Sequence, residues 1–505
     1  MTLNQLLLLL LPEVVLTVAA FVVFVVDMVW SGDDVRGRWL PWLAFLGVLL
    51  TLAATIVVWP MAGAGGQPLA WTLGQGFGGE VIPMMALDGL ALFFKLFTVL
   101  VLLIVALSAG EYVQARTPFR GEFYALMLLA GLSIMLASAS TNLVMIYLSI
   151  EFLSITSYVL TGYLRDDPRS TEAAIKYFIY GAAASAVMLY GFSLLYGATG
   201  TTDLAAIAKA LATGSVTVRW LVFPATLMTL AGLGFKIALV PFHQWSPDAY
   251  EGAPTPVTAF LSVGPKAAGF AVLTRFLLTA LPEFQVDWTG ALAGVAIITM
   301  SLGNLVALWQ TNVKRLLAYS SIAQAGYMLI GLVALYPQAQ SWTTGLNALL
   351  IYLFAYLFTN LGAFAVVIAV ENRTGSANLP DFAGLIRRSP FLALAMFIFL
   401  LSLIGIPPTG GFVGKLFVFG AAIQRQMIVL AVVGIVNSVI SVYYYYAIIR
   451  QMFFGGTGDD APLAVTPLMK LMVGVNALVV LAIALYAEPF IRLANQSVQI
   501  LATSF

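Results

Sequence analysis

The sequence contains no cysteine and a single histidine, His243. Without thiolates the chain cannot form a disulfide, a cysteine-ligated zinc site or a thiolate-held iron–sulfur cluster, and one histidine excludes a haem held by two histidines. Charged residues make up only 9% of its 505 residues, against about 25% in soluble domains. A net charge of +1 provides no basic surface for nucleic acid. A water-soluble globular fold is therefore excluded.

Long hydrophobic runs take the place of the missing charges, since 61% of the residues are hydrophobic and the mean hydropathy is +0.98. A transmembrane helix needs about 20 predominantly apolar residues. Fourteen runs meet this requirement, at residues 5–29, 40–59, 87–110, 122–139, 142–163, 173–198, 220–243, 256–280, 289–309, 316–335, 345–370, 391–423, 428–454 and 467–487. The sequence therefore predicts an all-α polytopic membrane protein with about 14 transmembrane helices, which are numbered spans 1 to 14 in chain order.

Basic residues in the loops predict how these spans are oriented. Loops after odd-numbered spans hold twelve lysines and arginines, whereas loops after even-numbered spans and the C-terminal tail hold four. Because cytoplasmic loops carry the excess of basic residues, both termini are predicted to lie on the outer, periplasmic or lumenal, side. The longer loops are the glycine-rich segment 60–84 and the segment 199–219, which predicts a short amphipathic surface helix.

The sequence contains a faint internal repeat. A Thr-Asn pair opens span 5 at residues 141–142 and recurs before span 10 at 311–312, while Lys236 in span 7 has a counterpart, Lys415, in span 12. A shift of five spans is odd, so the second copy is upside down relative to the first. Inverted repeats with broken helices are typical of transporters, and the breaks mark the binding site. We therefore predict broken spans 7 and 12, three N-terminal spans (1–118), a first five-helix repeat of spans 4–8 (119–284), a second, inverted repeat of spans 9–13 (285–456) and a C-terminal span with its tail (457–505).

Three of the lysines inside predicted spans, Lys236, Lys266 and Lys415, are singled out, because a charged side chain inside a membrane helix costs about 2.5–3.5 kcal/mol on insertion scales. Lys236 precedes Pro241, which should break the helix, and the carbonyls freed around Ile237 are expected to face a water-filled cavity. Lys266 follows a Gly-Pro step in SVGPKAAGF, and Lys415 follows the break in GIPPTGG and is expected to repeat the design at Lys236. Their cost favours a charge pathway over a purely structural role.

Other polar residues in the spans leave more than one interpretation open. Glu151 lies about ten residues into span 5, and a partner for a lysine is favoured over a carboxyl group kept protonated. Lys176, near the start of span 6, either extends to the cytoplasmic interface or joins the pathway. His243, predicted at the cytoplasmic end of span 7, is either a hydrogen-bonded structural residue or a proton relay, for which a pKa of about 6.5 is suited.

The remaining candidates are assigned ordinary roles. For Lys95, extension to the interface is favoured. Glu13, Asp27 and Asp88 fall near span ends and are expected to need no special role. The four tyrosines at 443–446 are interpreted as interface or packing residues.

These residues predict a proton pathway. Burial makes a lysine ammonium release its proton more readily, and a nearby carboxylate opposes this. Two unit charges about 4 Å apart attract by roughly 4 kcal/mol at an effective dielectric near 20. Making and breaking a Glu151–Lys236 pair would therefore load and unload Lys236, which would exchange with Lys266 and finally with Lys415 through water and hydroxyl groups. The nucleotide motif GxxxxGK[ST] is absent, so an ion gradient or a partner protein must drive the process.

Six segments together resemble a known family: IEFLSITSYVLTGY, DDPRSTEAAIKYF, GFKIALVPFHQWSPDAYEGAPTPV, SVGPKAAGF, VKRLLAYSSIAQAGYML and GIPPTGGFVGK. They are similar to subunit N of type I NADH:quinone oxidoreductase, respiratory complex I, and equally to its counterpart in photosynthetic complexes fed by ferredoxin. The similarity extends over nearly all fourteen spans. These subunits belong to the antiporter-like proton-channel family, which is related to multisubunit sodium/proton antiporters.

The resemblance implies roles for particular residues. Glu151 and Lys236 would form the regulating ion pair, Lys266 would be the central relay and Lys415 the terminal residue. Lys176 and His243 match polar positions of the same hydrophilic axis. No cofactor or metal is expected in this chain.

The resemblance also implies partners. FMN, iron–sulfur clusters, NADH and quinone would belong to other subunits of a translocase in which this chain is a non-redox subunit. Neighbouring antiporter-like and small membrane subunits, a hydrophilic redox arm and the lipid bilayer of a bacterial inner or photosynthetic membrane are the expected surroundings. A stand-alone or multisubunit cation/proton antiporter is the alternative that the intramembrane charges alone leave open, and a structural scaffold is a third.

Overall fold

Helices that cross a membrane account for nearly the whole fold. The computed structural model describes residues 8, 10–29, 33–61, 69–75, 81–213, 219–335, 343–456 and 461–503. Within these ranges, thirteen helices are long and apolar enough to span a bilayer, and two shorter apolar helices, Pro390–Ile404 and Gly410–Gln424, together form span 12. The predicted all-α polytopic architecture is confirmed.

The unbroken spans have well-defined limits. Spans 1 to 6 are Leu11–Val29, Asp33–Val58, Gly89–Ser108, Arg120–Ala139, Leu143–Thr161 and Pro168–Thr199; span 8 is Thr255–Arg275; spans 9 to 11 are Gln285–Ala307, Val313–Val333 and Thr343–Thr374; spans 13 and 14 are Ile428–Phe454 and Pro467–Leu485. Shorter helices are Gly110–Arg116, Leu204–Ala212, Leu385–Arg388 and Glu488–Thr503. The surface helix expected within 199–219 is therefore Leu204–Ala212.

Span 7 is broken, as predicted, but its limits differ from the prediction. Its first half is Val222–Ile237, and the chain resumes helical structure at Trp245–Gly252 before span 8 begins at Thr255. The predicted end at residue 243 falls in the break itself. The second half was missed because its sequence, WSPDAYEG, is short and polar and carries no apolar run.

A β-hairpin occupies part of the segment predicted as a glycine-rich loop. Strand β1, Leu69–Gln75, pairs antiparallel with strand β2, Val81–Leu87. Residues 62–68 and 76–80 of this segment lie outside the described residues. Strand β2 leads directly into Asp88, whose carboxylate accepts a hydrogen bond from the backbone N–H of Ala91 at 2.8 Å and so caps span 3.

Matching features identify the two inverted repeats. The side chain of Asn142 caps span 5 by accepting from the N–H of Val144, and that of Asn312 caps span 10 by accepting from the N–H of Arg315. The next helix in each repeat, span 6 or span 11, is 32 residues long. The fourth element in each, span 7 or span 12, is broken. The predicted pair of five-helix repeats is therefore present in the fold.

The centre of the bundle consists of spans 8, 10 and 11. The apolar windows of spans 8 and 11 are completely buried inside the protein, and that of span 10 is 94% buried. In contrast, spans 1 and 13 direct large apolar side chains such as Phe21 and Val439 outward, as expected where a helix faces lipid. Lys266 on span 8 is therefore located at the core of the protein.

Two buried ion pairs tie the N-terminal spans together and to the repeats, and they correct the sequence prediction. Arg275 at the end of span 8 donates Nη1–H to Oδ2 of Asp88 at 2.6 Å and Nη2–H to Oδ1 at 2.9 Å. Lys95 Nζ of span 3 lies 2.8 Å from Oε1 of Glu13 in span 1, and neither side chain is more than 5% exposed. From the sequence, Glu13, Asp88 and Lys95 are expected to need no special partner, because they fall near span ends or can extend to the interface. The structure instead buries these side chains.

Candidate functional site

Lys236 occupies the last turn of the first half of span 7. The helix ends at Ile237, and Ala238 takes a left-handed conformation with φ of 63°. The lysine is 1% exposed, and its Nζ has no hydrogen-bond partner in the described structure. The first predicted relay residue is therefore a buried amine without a polar protein ligand.

Two carbonyls at the break in span 7 accept hydrogen bonds from protein groups. The carbonyl of Phe235 accepts from the indole Nε1–H of Trp245 at 2.9 Å and from the N–H of Ala238 at 3.1 Å. The N–H of Leu239 donates to the carbonyl of Gly234 at 2.8 Å. Two of these donors lie in the break itself and one in the second half of the span, so the carbonyls of Phe235 and Gly234 are not left for water, whereas the expectation for Ile237 stays a prediction.

Glu151 accepts a hydrogen bond from the Ser185 hydroxyl of span 6. Because Nζ of Lys236 has neither a hydrogen bond nor an ion pair among the described residues, the Glu151–Lys236 pair is open in this structure. The regulating pair stays a prediction.

Lys266 lies at the centre of the bundle, 1% exposed, and contacts span 10. Its Nζ donates to the carbonyl of Ser321 at 2.6 Å and to the hydroxyl of the same residue at 2.5 Å. That hydroxyl also accepts from the Tyr356 hydroxyl of span 11 at 2.7 Å. A single serine therefore joins the predicted central relay to two neighbouring spans.

Lys415 lies in the second half of span 12 and is held by the end of the first half. Its Nζ donates to the carbonyls of Leu403 at 3.1 Å and Ile404 at 2.8 Å, and to the Ser438 hydroxyl at 3.0 Å. These carbonyls belong to the last turn of a helix, where backbone acceptors are free and the helix dipole favours a cation. The expectation that Lys415 repeats the design of Lys236 is corrected: Lys236 precedes its break, whereas Lys415 follows its own.

Further polar groups on spans 10 and 11 lie on the same helix faces as the groups that contact Lys266, and one of them reaches a carbonyl that also binds Lys415. The Gln324 amide donates to the carbonyl of Leu403 at 2.9 Å, and its oxygen accepts from the Tyr352 hydroxyl. Gln324 lies three residues after Ser321 on span 10, and Tyr352 lies four residues before Tyr356 on span 11, so each pair shares a helix face. Sequence reasoning missed this row: the two spacings place each pair on one helix face, but they do not show that the two faces meet.

The tyrosines of span 13 separate into two pairs. Tyr444 and Tyr445 are buried, whereas Tyr443 and Tyr446 are exposed. The Tyr445 hydroxyl contacts the hydroxyl of Ser320 and accepts from the Gln324 amide at 3.5 Å. The interpretation of all four as interface or packing residues is thus wrong for Tyr445, which joins the polar row.

Lys176 belongs to an ion cluster at the protein surface. Its Nζ lies 2.6 Å from Glu172 and 3.0 Å from Asp248, and its side chain is 42% exposed. Asp248 also accepts from Arg315, which in turn contacts Glu251 at 3.0 Å. The structure does not bring Lys176 into the buried row, and its part in the relay stays a prediction.

His243 lies within the break of span 7, half-buried, rather than at the cytoplasmic end of the span. Its neighbours Phe242 and Gln244 are exposed, and its Nδ1 has no hydrogen-bond partner among the described residues. Its relay role is likewise a prediction that the geometry leaves open.

Residues 140–441 match the family model described as NADH:quinone oxidoreductase/Mrp antiporter, transmembrane. This segment is more than half of the chain. The chain belongs to this family. The matched segment contains Glu151, Lys236, Lys266 and Lys415, together with Lys176 and His243, and it leaves out spans 1 to 4 and span 14.

Relatives within the NADH:quinone oxidoreductase/Mrp antiporter family match most of the chain. NADH-quinone oxidoreductase subunit N of Chlorobium chlorochromatii is 44% identical over 454 residues, which cover 88% of this chain and 84% of that protein. NAD(P)H-quinone oxidoreductase subunit 2 of a Synechococcus species is 46% identical, covering 87% of this chain and 79% of the relative. A chain of respiratory complex I from Thermus thermophilus has a TM-score of 0.77 at 33% identity, covering 95% of this chain and 98% of that one.

Proposed function

We propose that this chain is a proton-translocating membrane subunit of a complex I-type, redox-driven quinone oxidoreductase. The observation that carries the proposal is the row of buried polar groups between Lys266 and Lys415, beside an unpaired Lys236. Each of these amines is buried, and a buried charge in a membrane helix is costly, which favours a transported charge over a structural role. The names of the relatives, which are subunits of such oxidoreductases, support the same assignment.

In this proposal the proton moves in three stages. Lys236 is charged while paired with Glu151 and releases its proton more readily once the pair has opened, because a buried ammonium is held less strongly without a counter-charge. Lys266 receives the charge, and its bonds to Ser321 place the proton at the head of the polar row. Lys415 ends the row at the second broken helix, where two carbonyls stabilise the ammonium until it discharges.

The redox chemistry belongs to partner subunits in this proposal. FMN, iron–sulfur clusters, NADH or another electron donor, and quinone would all bind outside this chain. The chain would contact other antiporter-like and small membrane subunits in a bacterial inner or photosynthetic membrane, with both termini on the outer side. The division of the chain into an N-terminal segment, two five-helix repeats and a C-terminal segment, with boundaries at residues 118, 284 and 456, is part of the same proposal.

The alternative function is that of a cation/proton antiporter, since the family description covers both classes. Isolation of the chain from its native membrane under mild detergent decides between them. We expect it to co-purify with further membrane subunits and a hydrophilic redox arm, and the purified assembly to acidify vesicles only when quinone is reduced. A monodisperse single chain that exchanges cations for protons without a redox substrate would contradict the proposal.

Replacement of Gln324 with leucine tests the polar row between the second and third lysines. Leucine has a similar volume but removes the donor to Leu403 and the acceptor for Tyr352. We expect quinone-dependent proton transport to fall at least about tenfold, because a positioned proton-transfer group contributes on that order or more. Proton uptake by vesicles containing the complex measures the effect.

Gln285→Leu is the matched control for this prediction. Gln285 is also buried and donates to a backbone carbonyl, that of Leu335, at 3.1 Å. None of its hydrogen bonds in the described structure involves a lysine. Equal losses of transport in the Gln324 and Gln285 variants would indicate a general packing defect and refute a specific role for Gln324.

A further inference from the structure

The Nζ of Lys236 is surrounded by aromatic rings. It lies 5.4 Å from the ring centroid of Phe235, 5.7 Å from that of Tyr158 and 5.8 Å from that of Tyr177. A cation within about 6 Å of a ring centroid is attracted by the negative face of the ring, most strongly where water is excluded. Three such rings converge on this one amine, which has no other ligand in the described structure.

The positions of the rings are fixed by their neighbours. Trp245, from the second half of span 7, stacks on Tyr177 with centroids 4.2 Å apart and an interplanar angle of 11°. Tyr177 meets Tyr158 edge to face at 4.7 Å. The hydrogen bond from Trp245 to the carbonyl of Phe235 fixes the indole itself. Four aromatic residues from three spans therefore form one rigid wall.

Gly181 on span 6 makes room for this arrangement. A methyl group at Gly181 would lie 2.7 Å from Cζ of Tyr158 and 3.1 Å from Cζ of Phe235. The first distance, with a still closer approach to the Tyr158 hydroxyl, requires the Tyr158 ring to move, and the second requires Phe235 to shift by a few tenths of an ångström. The absence of a side chain at this position thus allows Tyr158 and Phe235 to approach the lysine together.

The ring faces, rather than the tyrosine hydroxyls, are the groups that address the ammonium. The hydroxyls of Tyr158 and Tyr177 have no hydrogen-bond partner among the described residues, and neither donates to or accepts from Lys236. Lys415 differs, because a single ring, that of Tyr327 at 4.5 Å, is added to three oxygen ligands. The aromatic surroundings are therefore particular to the lysine that changes partners.

We propose that Tyr158, Tyr177 and Phe235 form an aromatic cage that holds the ammonium of Lys236 while its pair with Glu151 is open. The three are positioning residues: they give the charged lysine a second resting place from which its proton passes towards Lys266. The inference rests on the proposed relay role of Lys236. Without the cage, the unpaired ammonium has no stabilising contact and returns to Glu151, so that coupled transport slows.

A pair of substitutions at Tyr158 separates the ring from the hydroxyl. Tyr158→Phe keeps the ring face and is expected to retain proton transport per quinone reduced. Tyr158→Leu removes the face and is expected to lower the transport rate about tenfold, as for the loss of a desolvated cation–π contact. Equal losses in both variants would assign the role to the hydroxyl and overturn the cage, as would full transport in both.

Two further variants decide the matter if the leucine variant does not assemble. Fluorinated phenylalanines at position 158 keep the shape and progressively weaken the ring face, so transport should fall stepwise with the number of fluorines. Gly181→Ala, a change that favours helix formation, should displace two rings and lower transport. A flat response to fluorine overturns the cage.

Lys236→Ala, measured in parallel, tests the relay itself. Full proton transport in that variant refutes the proposed function. Loss of transport in that variant, together with a flat fluorine series, refutes only the cage.

Discussion

Replacement of Lys236 with alanine is expected to reduce quinone-dependent proton transport by about two orders of magnitude or more, in line with the loss of a positioned proton-transfer group. In the proposed order of proton transfer, Lys236 is the buried amine between Glu151 and Lys266. Alanine leaves no group to carry the proton between these two residues. Assembly should survive, because Nζ of Lys236 makes no hydrogen bond that holds two helices together. Acidification of vesicles containing the intact complex, measured during quinone reduction, gives the rate.

Lys209→Ala is the matched control. It removes the same side chain from an exposed position on the short helix Leu204–Ala212, to which no part in the relay is assigned. We expect near-normal transport.

If cavity formation prevents assembly of the Lys236→Ala variant, Lys236→Met keeps the length of the side chain without its charge. Normal transport in an assembled Lys236→Met complex would show that Lys236 is not part of the relay.

The residues of the candidate site could be singled out from the sequence because charges in a membrane span are rare and costly. Lys236, Lys266 and Lys415 are charged residues within long apolar runs. Proline and glycine near Lys236 and Lys415 predict the broken helices. The same logic explains the successful prediction of the spans and of their inverted repetition. These are local properties of the sequence, readable without knowledge of how the helices pack.

The contacts between spans could not be predicted in this way. Ser321 and Gln324 read as ordinary polar residues of span 10 until span 11 places Tyr356 and Tyr352 against them. Trp245 likewise gives no sign in the sequence that it satisfies a carbonyl ten residues earlier. Such pairings depend on which helix faces meet, and a nearly uniform apolar sequence carries little information about that.

The two buried ion pairs also could not be predicted from the sequence, although their charged residues were visible in it. Glu13, Lys95 and Asp88 lie near span ends, where a charged side chain normally reaches water. Here both pairs are buried inside the protein, so none of the four charged side chains reaches water. The N-terminal spans, which lie outside the matched family segment, are therefore joined to the repeats by charges that the sequence marked as unimportant.

Replacement of Arg275 with methionine is expected to destabilise the protein by about 3–5 kcal/mol, the cost of leaving a buried charge without its partner. Asp88 would lose two charge-assisted hydrogen bonds, and the carbonyl of Ser138 would lose its donors from the same guanidinium. These bonds connect span 3, the end of span 4 and span 8. The midpoint of detergent-induced unfolding of the purified complex measures the change.

The double variant Asp88→Asn with Arg275→Met separates the charge from the hydrogen bonds. Asparagine is also a good N-cap, so span 3 keeps its first-turn contact to Ala91, while the uncompensated carboxylate is removed. We expect the double variant to be more stable than Arg275→Met alone, because replacing both members of a buried pair with uncharged groups costs less than breaking it. If the single and double variants unfold at the same midpoint, the buried charge on Asp88 is not the source of the instability, and the loss of guanidinium packing between spans 3 and 8 accounts for it instead.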